Sequence, residues 1–282
     1  MRKNENSAAL LISTYNWPEA LHLVFQSILH QTRMPDEIII ADDGSGNETR
    51  KVIDAFREKC PVPLRHFWQH DDGFRKTEII NQVISYTDCA YIIQIDGDII
   101  LHPKFIEDHL RMQEKGTYIR ASRVLLGEEK TKELVLSKTY TRPSIFSKGI
   151  KNRINALRIP LLACLLIKRR RRSNNIHGSN CAYWRADFIA VNGYNNQMQG
   201  WGHEDIELAA RLVNAGIFQK RVKLLAIGYH LHHTYNDRGR AAFNHGIYLQ
   251  VVNSGITTCA DGYLQVRKDA IPITHRIASQ AL

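Results

Sequence analysis

The feature that most constrains the fold is a series of short, continuously apolar segments that end in polar residues. AALLIST (8–14), EIIIA (37–41) and YIIQI (91–95) are of this kind, and stretches with helical spacing of apolar residues separate them. Strands that are apolar at successive positions are buried on both faces, and their alternation with amphipathic helices is typical of parallel sheets. The sequence therefore predicts an α/β fold with a mostly parallel central sheet and helices on both faces.

Polar residues follow these strands at the edge where an open α/β sheet binds its ligands. Ser13-Thr14-Tyr15 lie at the end of the strand at 8–14, and Asp42-Asp43 follow the strand at 37–41. Residues 69–75 follow a further predicted strand at 64–68, and Asp96-Gly97-Asp98 follow the strand at 91–95. No GxGxxG motif follows the first strand and no GxxxxGK[ST] motif occurs, so neither a dinucleotide-binding fold nor a phosphate-binding P-loop is supported. A ligand at this edge would meet carboxylates first.

Three groups of residues carry candidate chemistry. Asp96 and Asp98 offer oxygens that suit Mg²⁺ or Mn²⁺, which bridge diphosphates, although Asp-Gly-Asp also forms ordinary turns. Trp201 lies between two glycines and offers an aromatic face to a sugar ring. Glu204 and Asp205 follow it at a helix start, either as a general base or to complement the helix dipole.

The third group is a cluster of histidines at 230, 232 and 233, directly after a predicted strand at 224–227. Imidazole is a common ligand for Mn²⁺-like metals, and a single histidine is more often structural. With three histidines in four residues, we expect at least one functional histidine. The spacing alone does not distinguish among them.

The chain has 38 Lys+Arg and 28 Asp+Glu, and the whole excess of positive charge lies in one segment. Residues 138–172 contain eleven Lys or Arg and no Asp or Glu, which leaves 27 basic and 28 acidic residues elsewhere. The segment also contains the apolar run 159–167, which is too short to span a bilayer because spanning takes about 20 residues. Bases beside an apolar stretch are typical of a segment that lies on an anionic membrane.

Two other interpretations of this segment stay open. The apolar run would also suit a buried core helix followed by a solvated basic loop, and the bases would suit an arm that binds nucleic acid. The second is disfavoured because no aromatic residues alternate with the bases to stack on nucleotides. We expect a contact with an anionic membrane surface through 138–172 and no nucleic-acid partner.

Cysteine usage and the first residues bear on localisation. The five cysteines include no CxxC pair, so neither a zinc ribbon nor a disulfide framework is indicated. The apolar run 8–12 is far shorter than a signal-peptide core. We therefore expect a cytoplasmic protein that is peripheral at the inner face of the cell membrane.

Seven motifs taken together resemble one enzyme family in content and order: ISTYN, IIIADDGS, QHDDGFRKTEIIN, IDGD, HGSNCAYWRADFIAVNGY, GWGHEDIELAARL and YHLHH. With them the sequence resembles the inverting family-2 glycosyltransferases of the GT-A fold, a Rossmann-like nucleotide-diphospho-sugar transferase fold. It is similar to the branch with a C-terminal galactosyltransferase-type motif, which includes bacterial chondroitin polymerase and animal β-1,4-galactosyltransferases. The resemblance covers residues 8 to about 237, except the basic segment.

The resemblance implies roles for the residues that match the motifs. Asp205 would be the catalytic base, with Glu204 beside it in contact with acceptor and donor sugar, and Trp201 would contact the acceptor. Asp98 and His230 would hold Mn²⁺ or Mg²⁺, with His233 as the second choice of histidine. The implied contacts with the nucleotide-sugar are Thr14, Tyr15, Asp42, Asp71, Arg75 and Asp96. His203 departs from the family pattern at the acceptor mouth.

From these observations we expect one GT-A domain over 1–237, followed by a C-terminal helix and tail over 238–282. Residues 1–126 would bind the nucleotide-sugar, 138–172 would contact the membrane, and 177–237 would bind the acceptor and catalyse transfer. The predicted function is metal-dependent, inverting transfer of a sugar from a nucleotide donor, which we expect to be a UDP-sugar. The acceptor would be a glycan or a lipid-linked glycan in bacterial surface polysaccharide synthesis. The alternative is a catalytically inactive protein of this fold that binds nucleotide-sugars or glycans.

Overall fold

A twisted sheet of eight strands forms the centre of the computed structural model, which describes residues 5–174, 176–234 and 239–267. The strands are β1 (Ala8–Thr14), β2 (Glu37–Asp42), β3 (Leu64–Trp68), β4 (Tyr91–Asp96), β5 (Ile99–Leu101), β6 (Thr117–Arg120), β7 (Arg123–Leu126), β8 (Ile150–Lys151), β9 (Lys168–Arg170), β10 (Asn180–Trp184), β11 (Phe218–Arg221) and β12 (Gly228–His230). The helices are α1 (Pro18–Leu29), α2 (Asn47–Arg57), α3 (Lys76–Ile84), α4 (Phe105–Met112), α5 (Glu128–Ser137), α6 (Pro160–Leu166), α7 (Arg185–Ala190), α8 (Glu204–Asn214), α9 (Ala241–Ser254) and α10 (Tyr263–Val266), with a 3-10 helix at Arg153–Ala156.

The central sheet has the order β3-β2-β1-β4-β10-β6-β11-β9. Neighbouring strands from β3 to β4 are parallel, and β6 and β11 are parallel to each other. The antiparallel strands are β10, between β4 and β6, and β9 at the edge. The prediction of a mostly parallel α/β sheet is confirmed.

The apolar strands are buried on both faces, as their composition requires. In β1, Leu10 and Ile12 belong to one hydrophobic cluster, whereas Ala9 and Leu11 belong to another on the opposite face. Side chains alternate between the faces of a strand, so a continuously apolar sequence supplies both cores at once. The polar residues that end these strands are thereby placed at the exposed edge of a rigid sheet.

A second, smaller sheet of four strands has the order β5-β12-β7-β8. In it, β12 pairs antiparallel with β5, so that His230 lies opposite Ile99, and parallel with β7 on its other side. A backbone hydrogen bond from Leu231 N to the Asp98 carbonyl, 3.0 Å long, continues this pairing. The small sheet therefore brings the end of the chain's last described strand beside the Asp96-Gly97-Asp98 turn.

Between residues 117 and 126 the chain passes from one sheet to the other, because β6 stays in the central sheet while β7 joins the small one. The strand predicted at 224–227 is wrong. Residues 224–227 are buried but form no strand: Leu224 and Ala226 have positive φ angles of 60° and 49°, which strand backbone does not adopt. The strand follows directly, as β12.

The basic segment 138–172 is folded rather than an open loop, and it contains β8, the 3-10 helix, α6 and β9. Its apolar run forms α6, in which only Ala163 is buried; Leu161 is 87% exposed and Leu165 is 78% exposed. The interpretation as a buried core helix is therefore wrong. Arg158 anchors the segment through two hydrogen bonds of 2.9 and 2.7 Å to the buried Asp108.

Within the described residues, no helix is long and apolar enough to cross a membrane. The C-terminal helix expected after residue 238 is observed as α9. The boundary at Asp237 and the tail from residue 268 onward lie outside the described residues.

Candidate active site

An open cleft of about 1210 Å³ lies at the carboxyl ends of β1 and β4, between them and the start of α8. This is the edge at which parallel α/β sheets place their ligand sites. Nine of the residues predicted for the site line this cleft: Thr14, Tyr15, Asp96, Asp98, Trp201, Glu204, Asp205, His230 and His233.

Asp98, His230 and His233 form a cluster that suits a divalent cation. One ligand atom of each lies within 4.8 Å of the others, and each histidine places Nε2 3.3 Å from Asp98 Oδ2. The second carboxylate oxygen of Asp98 is buried and has no hydrogen-bond partner in the described part of the chain. His232 contributes no atom to the cluster, and its backbone N–H donates to Thr131 Oγ1 instead.

The electrostatics of this cluster agree with a cation site. Burial and the charge of Asp96 raise the pKa of Asp98 to about 7, so the ionised carboxylate is costly without a positive partner. Burial and the neighbouring Arg123 lower the pKa of His230 to about 3, so that its imidazole is neutral at pH 7 and able to ligate. Neutral imidazole with carboxylate oxygen is a donor set that Mn²⁺ accepts.

Asp96 faces the cleft in an ion pair with Lys76, the first residue of α3. Lys76 Nζ lies 2.5 Å from Asp96 Oδ1, and Ser13 Oγ donates a second hydrogen bond of 2.7 Å to the same oxygen. Although burial opposes its ionisation, Lys76 holds the pKa of Asp96 below its usual range. Burial alone would lower the pKa of Lys76, but the charges of Asp96, Asp205 and Glu204 raise it, so this lysine is charged.

Glu204 and Asp205 are the first two residues of α8, on the other side of the cleft. Asp205 Oδ2 accepts a hydrogen bond of 2.6 Å from Gly178 N, and Glu204 Oε2 accepts one of 3.0 Å from Gly202 N. Burial and the charge of Asp205 raise the pKa of Glu204 to about 7. Burial also raises the pKa of Asp205, against the opposing charge of Lys76. Two crowded carboxylates with raised pKa values are suited to proton transfer near neutral pH.

A chain of buried side chains holds Asp205 in place. Tyr194 donates its hydroxyl hydrogen to Asp205 Oδ1 at 3.0 Å and accepts from Gln94 Nε2 at 2.9 Å. Gln94 Oε1 in turn accepts from the hydroxyl of Tyr183 at 2.8 Å. These three side chains lie on or beside β4 and β10, so the central sheet fixes the position of the carboxylate.

Gly178 contributes to the same arrangement through its lack of a side chain. A Cβ atom at this position would lie 2.5 Å from Asp205 Oδ1 and 2.9 Å from Gln94 Nε2. Its backbone N–H can therefore reach the carboxylate only because the residue is glycine.

Only some of the residues expected to contact the nucleotide line the cleft. Tyr15 donates a hydrogen bond of 3.0 Å to Asp71 Oδ2, but Asp71 itself does not line the cleft. Asp42 is 1% exposed, and its carboxylate accepts from Ser45 N and pairs with His66, which turns it away from the cleft. Its neighbour Asp43 lines the cleft instead.

Arg75 is likewise turned away from the cleft. Its guanidinium donates to the His70 carbonyl and lies 3.6 Å from Glu78 and 3.8 Å from Asp72. Its backbone N–H, by contrast, donates to Asp43 Oδ2 at 2.9 Å and helps to orient that carboxylate. The roles predicted for Asp42 and Arg75 stay predictions, and the geometry favours Asp43 and Lys76 in their places.

Sequence reasoning missed five residues of the site: Asp43, Lys76, Arg123, Gly178 and Tyr194. Asp43 and Lys76 directly follow the residues that were selected, so the motifs pointed to the right segments but to the neighbouring side chain. Gly178 and Tyr194 both lie in the HGSNCAYWRADFIAVNGY motif, but neither is an acid or a histidine. Arg123 lies outside the motifs and reaches the site only through tertiary contacts.

A cleft of this kind at the end of a mostly parallel sheet, with paired acids facing a carboxylate–histidine cluster, belongs to the class of nucleotide-sugar transferases. The chain belongs to glycosyl transferase family 2, whose family model matches residues 9–173, more than half of its length. A second model, described as the N-terminal domain of galactosyltransferase, matches residues 159–234. The expected family and its galactosyltransferase-type branch are thereby confirmed.

Curated relatives include glycosyltransferases of different kinds. Validoxylamine A glucosyltransferase of Streptomyces hygroscopicus subsp. limoneus is 23% identical over 227 residues, which cover 74% of this chain and 48% of that protein. Chondroitin synthase of Pasteurella multocida (strain Pm70) is 21% identical over 243 residues, covering 74% of this chain and 23% of that protein. The chain thus spans about half the length of one relative and about a quarter of the other.

Solved structures of similar shape confirm the GT-A fold. A crystal structure of GalNAc-T7 with UDP, GalNAc and Mn²⁺ superposes with a TM-score of 0.62 at 15% identity, over 87% of this chain and 48% of that one. The mannosyltransferase PcManGT from Pyrobaculum calidifontis, in complex with GDP-Man and Mn²⁺, gives a TM-score of 0.52 at 11% identity, over 89% of this chain and 71% of that one.

Proposed function

We propose that this chain transfers a sugar from a nucleotide-activated donor, specifically a UDP-sugar, to a hydroxyl of a glycan or lipid-linked acceptor, with inversion at the anomeric carbon. The product would be part of a bacterial surface polysaccharide. The observation that carries the proposal is that two acids at the start of α8 share one cleft with the cluster of Asp98, His230 and His233.

The cluster would hold one divalent cation, Mn²⁺ or Mg²⁺. The fit rests on three converging ligand atoms, the orphaned Asp98 Oδ1 and the neutral His230. When bound, such a cation neutralises charge on the diphosphate of the departing nucleotide. Mn²⁺ in both structural neighbours supports this assignment.

The chain's own residues supply orientation and proton transfer. Asp205 would remove the proton from the attacking acceptor hydroxyl, because its carboxylate lines the cleft and its raised pKa suits a general base. Tyr194 and Gly178 N hold that carboxylate in one orientation. Attack from the side opposite to the departing diphosphate inverts the anomeric carbon in a single displacement.

On the donor side, Asp96 and Lys76 would orient the sugar, since both line the cleft between the cluster and the two acids. Thr14, Tyr15 and Asp43 line its other end, beside β1 and β2, and would contact the nucleoside. Trp201 would offer its ring to the acceptor sugar.

The catalytic role is tested with Asp205→Asn. The variant should retain Mn²⁺-dependent stabilisation by UDP, measured as a shift in Tm, while losing about 10²–10⁴-fold in transfer or in UDP release from UDP-sugars. Turnover near that of the native chain would overturn the assignment. A native chain that binds UDP-sugars and Mn²⁺ without any turnover would instead favour the non-catalytic alternative. The same assays with GDP-sugars show whether the donor nucleotide is UDP or GDP.

The metal site is tested with His233→Ala against His232→Ala as a matched control. Only His233 contributes a ligand atom, although the two residues are adjacent. We expect His233→Ala to raise the Mn²⁺ concentration needed for UDP binding by at least about tenfold, as loss of a ligand does. Equal effects of the two substitutions would contradict the proposed ligand set.

We also propose that α6 and its flanking bases rest on an anionic membrane surface, at the inner face of the cell membrane. Leu161, Leu162, Leu165 and Leu166 of α6 are exposed to solvent, and the run from Lys168 to Arg172 follows directly. Burial of each leucine in the bilayer interface and attraction between the bases and anionic lipid headgroups would act together.

Vesicle binding tests this contact. The substitution pair Leu161→Ser and Leu165→Ser should weaken binding to phosphatidylglycerol-containing vesicles roughly tenfold or more, because two apolar side chains no longer enter the interface. Leu136→Ser on α5 is the matched control, since Leu136 is 81% exposed but lies outside the segment. Undiminished binding of the α6 variant would refute the contact.

A further inference from the structure

A second, smaller cavity of about 140 Å³ adjoins the cleft and is lined by positive charge without any acid. Arg120, Arg123, Arg221 and Lys223 line it together with His177, and no Asp or Glu is among its lining residues. Arg123 and His177 also line the cleft, so the two spaces share a wall. We refer to this cavity as the basic pocket.

The strand register forces these charges together. Arg120 ends β6 and Arg221 ends the parallel strand β11, where the two residues are direct register partners. On the other side of Arg221, its antiparallel register partner is Lys168 of the edge strand β9. Three bases therefore stand side by side across three strands, an arrangement in which like charges destabilise a sheet.

The repulsion is not relieved by ion pairs. Within residues 5–174, 176–234 and 239–267, neither Arg120 nor Arg221 nor Lys223 has a carboxylate partner within 4.0 Å. Burial and the charge of Arg221 lower the pKa of Arg120. A polyanion in the basic pocket would convert this repulsion into attraction, and planar guanidinium groups are suited to bind phosphate oxygens in pairs.

The place of the basic pocket in the sheet separates it from the nucleotide end of the cleft. The residues proposed to contact the nucleoside follow β1 and β2, whereas the pocket lies at the ends of β6 and β11. In the sheet order, β4 and β10 stand between these two pairs of strands. An anion in the pocket would therefore lie away from the proposed nucleoside contacts, on the other side of the cleft.

An exposed apolar surface begins beside the basic pocket. Ile159 N, at the start of α6, donates a hydrogen bond of 3.1 Å to the carbonyl of Leu224, the residue after Lys223. At its other end, α6 leads directly into Lys168. The exposed leucines of α6 thus lie between two bases of this region, next to the basic pocket.

Resting on the proposed function, we propose that the basic pocket binds the phosphate or diphosphate group of an amphiphilic acceptor, whose hydrocarbon portion lies along α6. The three cations that have no carboxylate partner among the described residues, Arg120, Arg221 and Lys223, match a diphosphate better than the single charge of a carboxylate. The acceptor's sugar would then extend past Arg123 and His177 into the cleft, toward Asp205.

The test measures binding of inorganic pyrophosphate and geranyl diphosphate by calorimetry in EDTA, so that no divalent cation takes part. The native chain should bind both, and geranyl diphosphate more tightly. Arg221→Gln should weaken both at least tenfold while leaving Mn²⁺-dependent UDP binding unchanged. Arg221→Lys should retain most of the affinity. The control is Arg50→Gln on α2, which follows β2 at the opposite end of the sheet.

A measurement of Tm distinguishes a loss of anion binding from a folding defect in the variant. Without added anion, Arg221→Gln should have a higher Tm than the native chain, because the repulsion from Arg120 is removed, and pyrophosphate should no longer raise it. Failure of the native chain to bind either diphosphate would overturn the proposal. An equal loss of UDP binding in Arg221→Gln would also overturn it, and so would a preference for a chondroitin oligosaccharide, whose charge is carboxylate. Pyrophosphate binding in a chain that shows no glycosyl transfer would refute only the proposed function.

Discussion

Tyr194→Phe isolates the hydrogen bond that orients the proposed base. The substitution removes one oxygen that donates to Asp205 and accepts from Gln94, and it leaves the ring in its buried position, where Tyr194 is 2% exposed. A hydrogen bond to a charged acceptor contributes about 1.5–3 kcal/mol. Its loss penalises the ionised form of Asp205, so the pKa of that carboxyl rises by roughly one to two units.

The expected result is a shift of the acidic limb of the pH–rate profile. Since Asp205 must be deprotonated to act, a higher pKa moves this limb to higher pH by roughly one unit or more. The assay is UDP release from a UDP-sugar in saturating Mn²⁺, followed from pH 5.5 to 9. Stability should fall as well, by about 1–3 kcal/mol, because Gln94 Nε2 is buried and loses its acceptor.

The matched control is Tyr91→Phe. Tyr91 is 1% exposed, lies on the same sheet, and its hydroxyl has no hydrogen-bond partner within the described residues. Removing that hydroxyl should leave the pH profile in place, with stability unchanged or raised by up to about 1 kcal/mol. If Tyr194→Phe kept the native acidic limb, or if both variants shifted it equally, the hydrogen bond from Tyr194 would not control the ionisation of the proposed base.

Three further outcomes follow from contacts in the structure. Gly178→Ala should lose at least about 10²-fold in turnover with UDP binding retained, measured together, because its Cβ would displace Asp205. Arg211→Met should cost about 3–5 kcal/mol in urea unfolding by leaving Glu207 buried and unpaired, and a second change, Glu207→Leu, should recover most of it. Since ionisation of Glu204 is penalised in the folded state, native stability should decline from pH 4.5 to 7, and Glu204→Gln should flatten that decline. No recovery in the double variant, or no flattening, would contradict these contacts.

The sheet and the edge that carries the cleft were predictable from the sequence because burial on both faces leaves a pattern in the sequence itself. Residues 8–14, 37–41 and 91–95 show that pattern, and all three form strands of the central sheet. Residues 224–227 show it too, but they are buried in turns with positive φ, which apolar composition does not reveal. The strand that carries His230 therefore began later than predicted.

The residues of the site can also be separated into those that the sequence revealed and those that it did not. Acids and histidines within motifs were found because their chemistry is visible in the residue type. Tyr194 was missed because its role depends on a hydroxyl that reaches Asp205 eleven positions away, and nothing in VNGYNN signals that contact. Asp42 and Asp43 differ only in the direction of their side chains at the end of β2. The sequence shows two identical residues there and does not indicate which one faces the cleft.

The pairing of β12 with β5 has a consequence for how the protein is made. Asp98 leaves the ribosome long before His230 and His233, so a growing chain contains β1 to β4 before it contains the two imidazoles that lie beside Asp98. Pairing between strands so far apart in sequence is slow, because the long intervening loop must first be closed. With the proposed function, activity would therefore begin only after residues 177–237 have been translated, and incomplete chains would leave activated sugars unused.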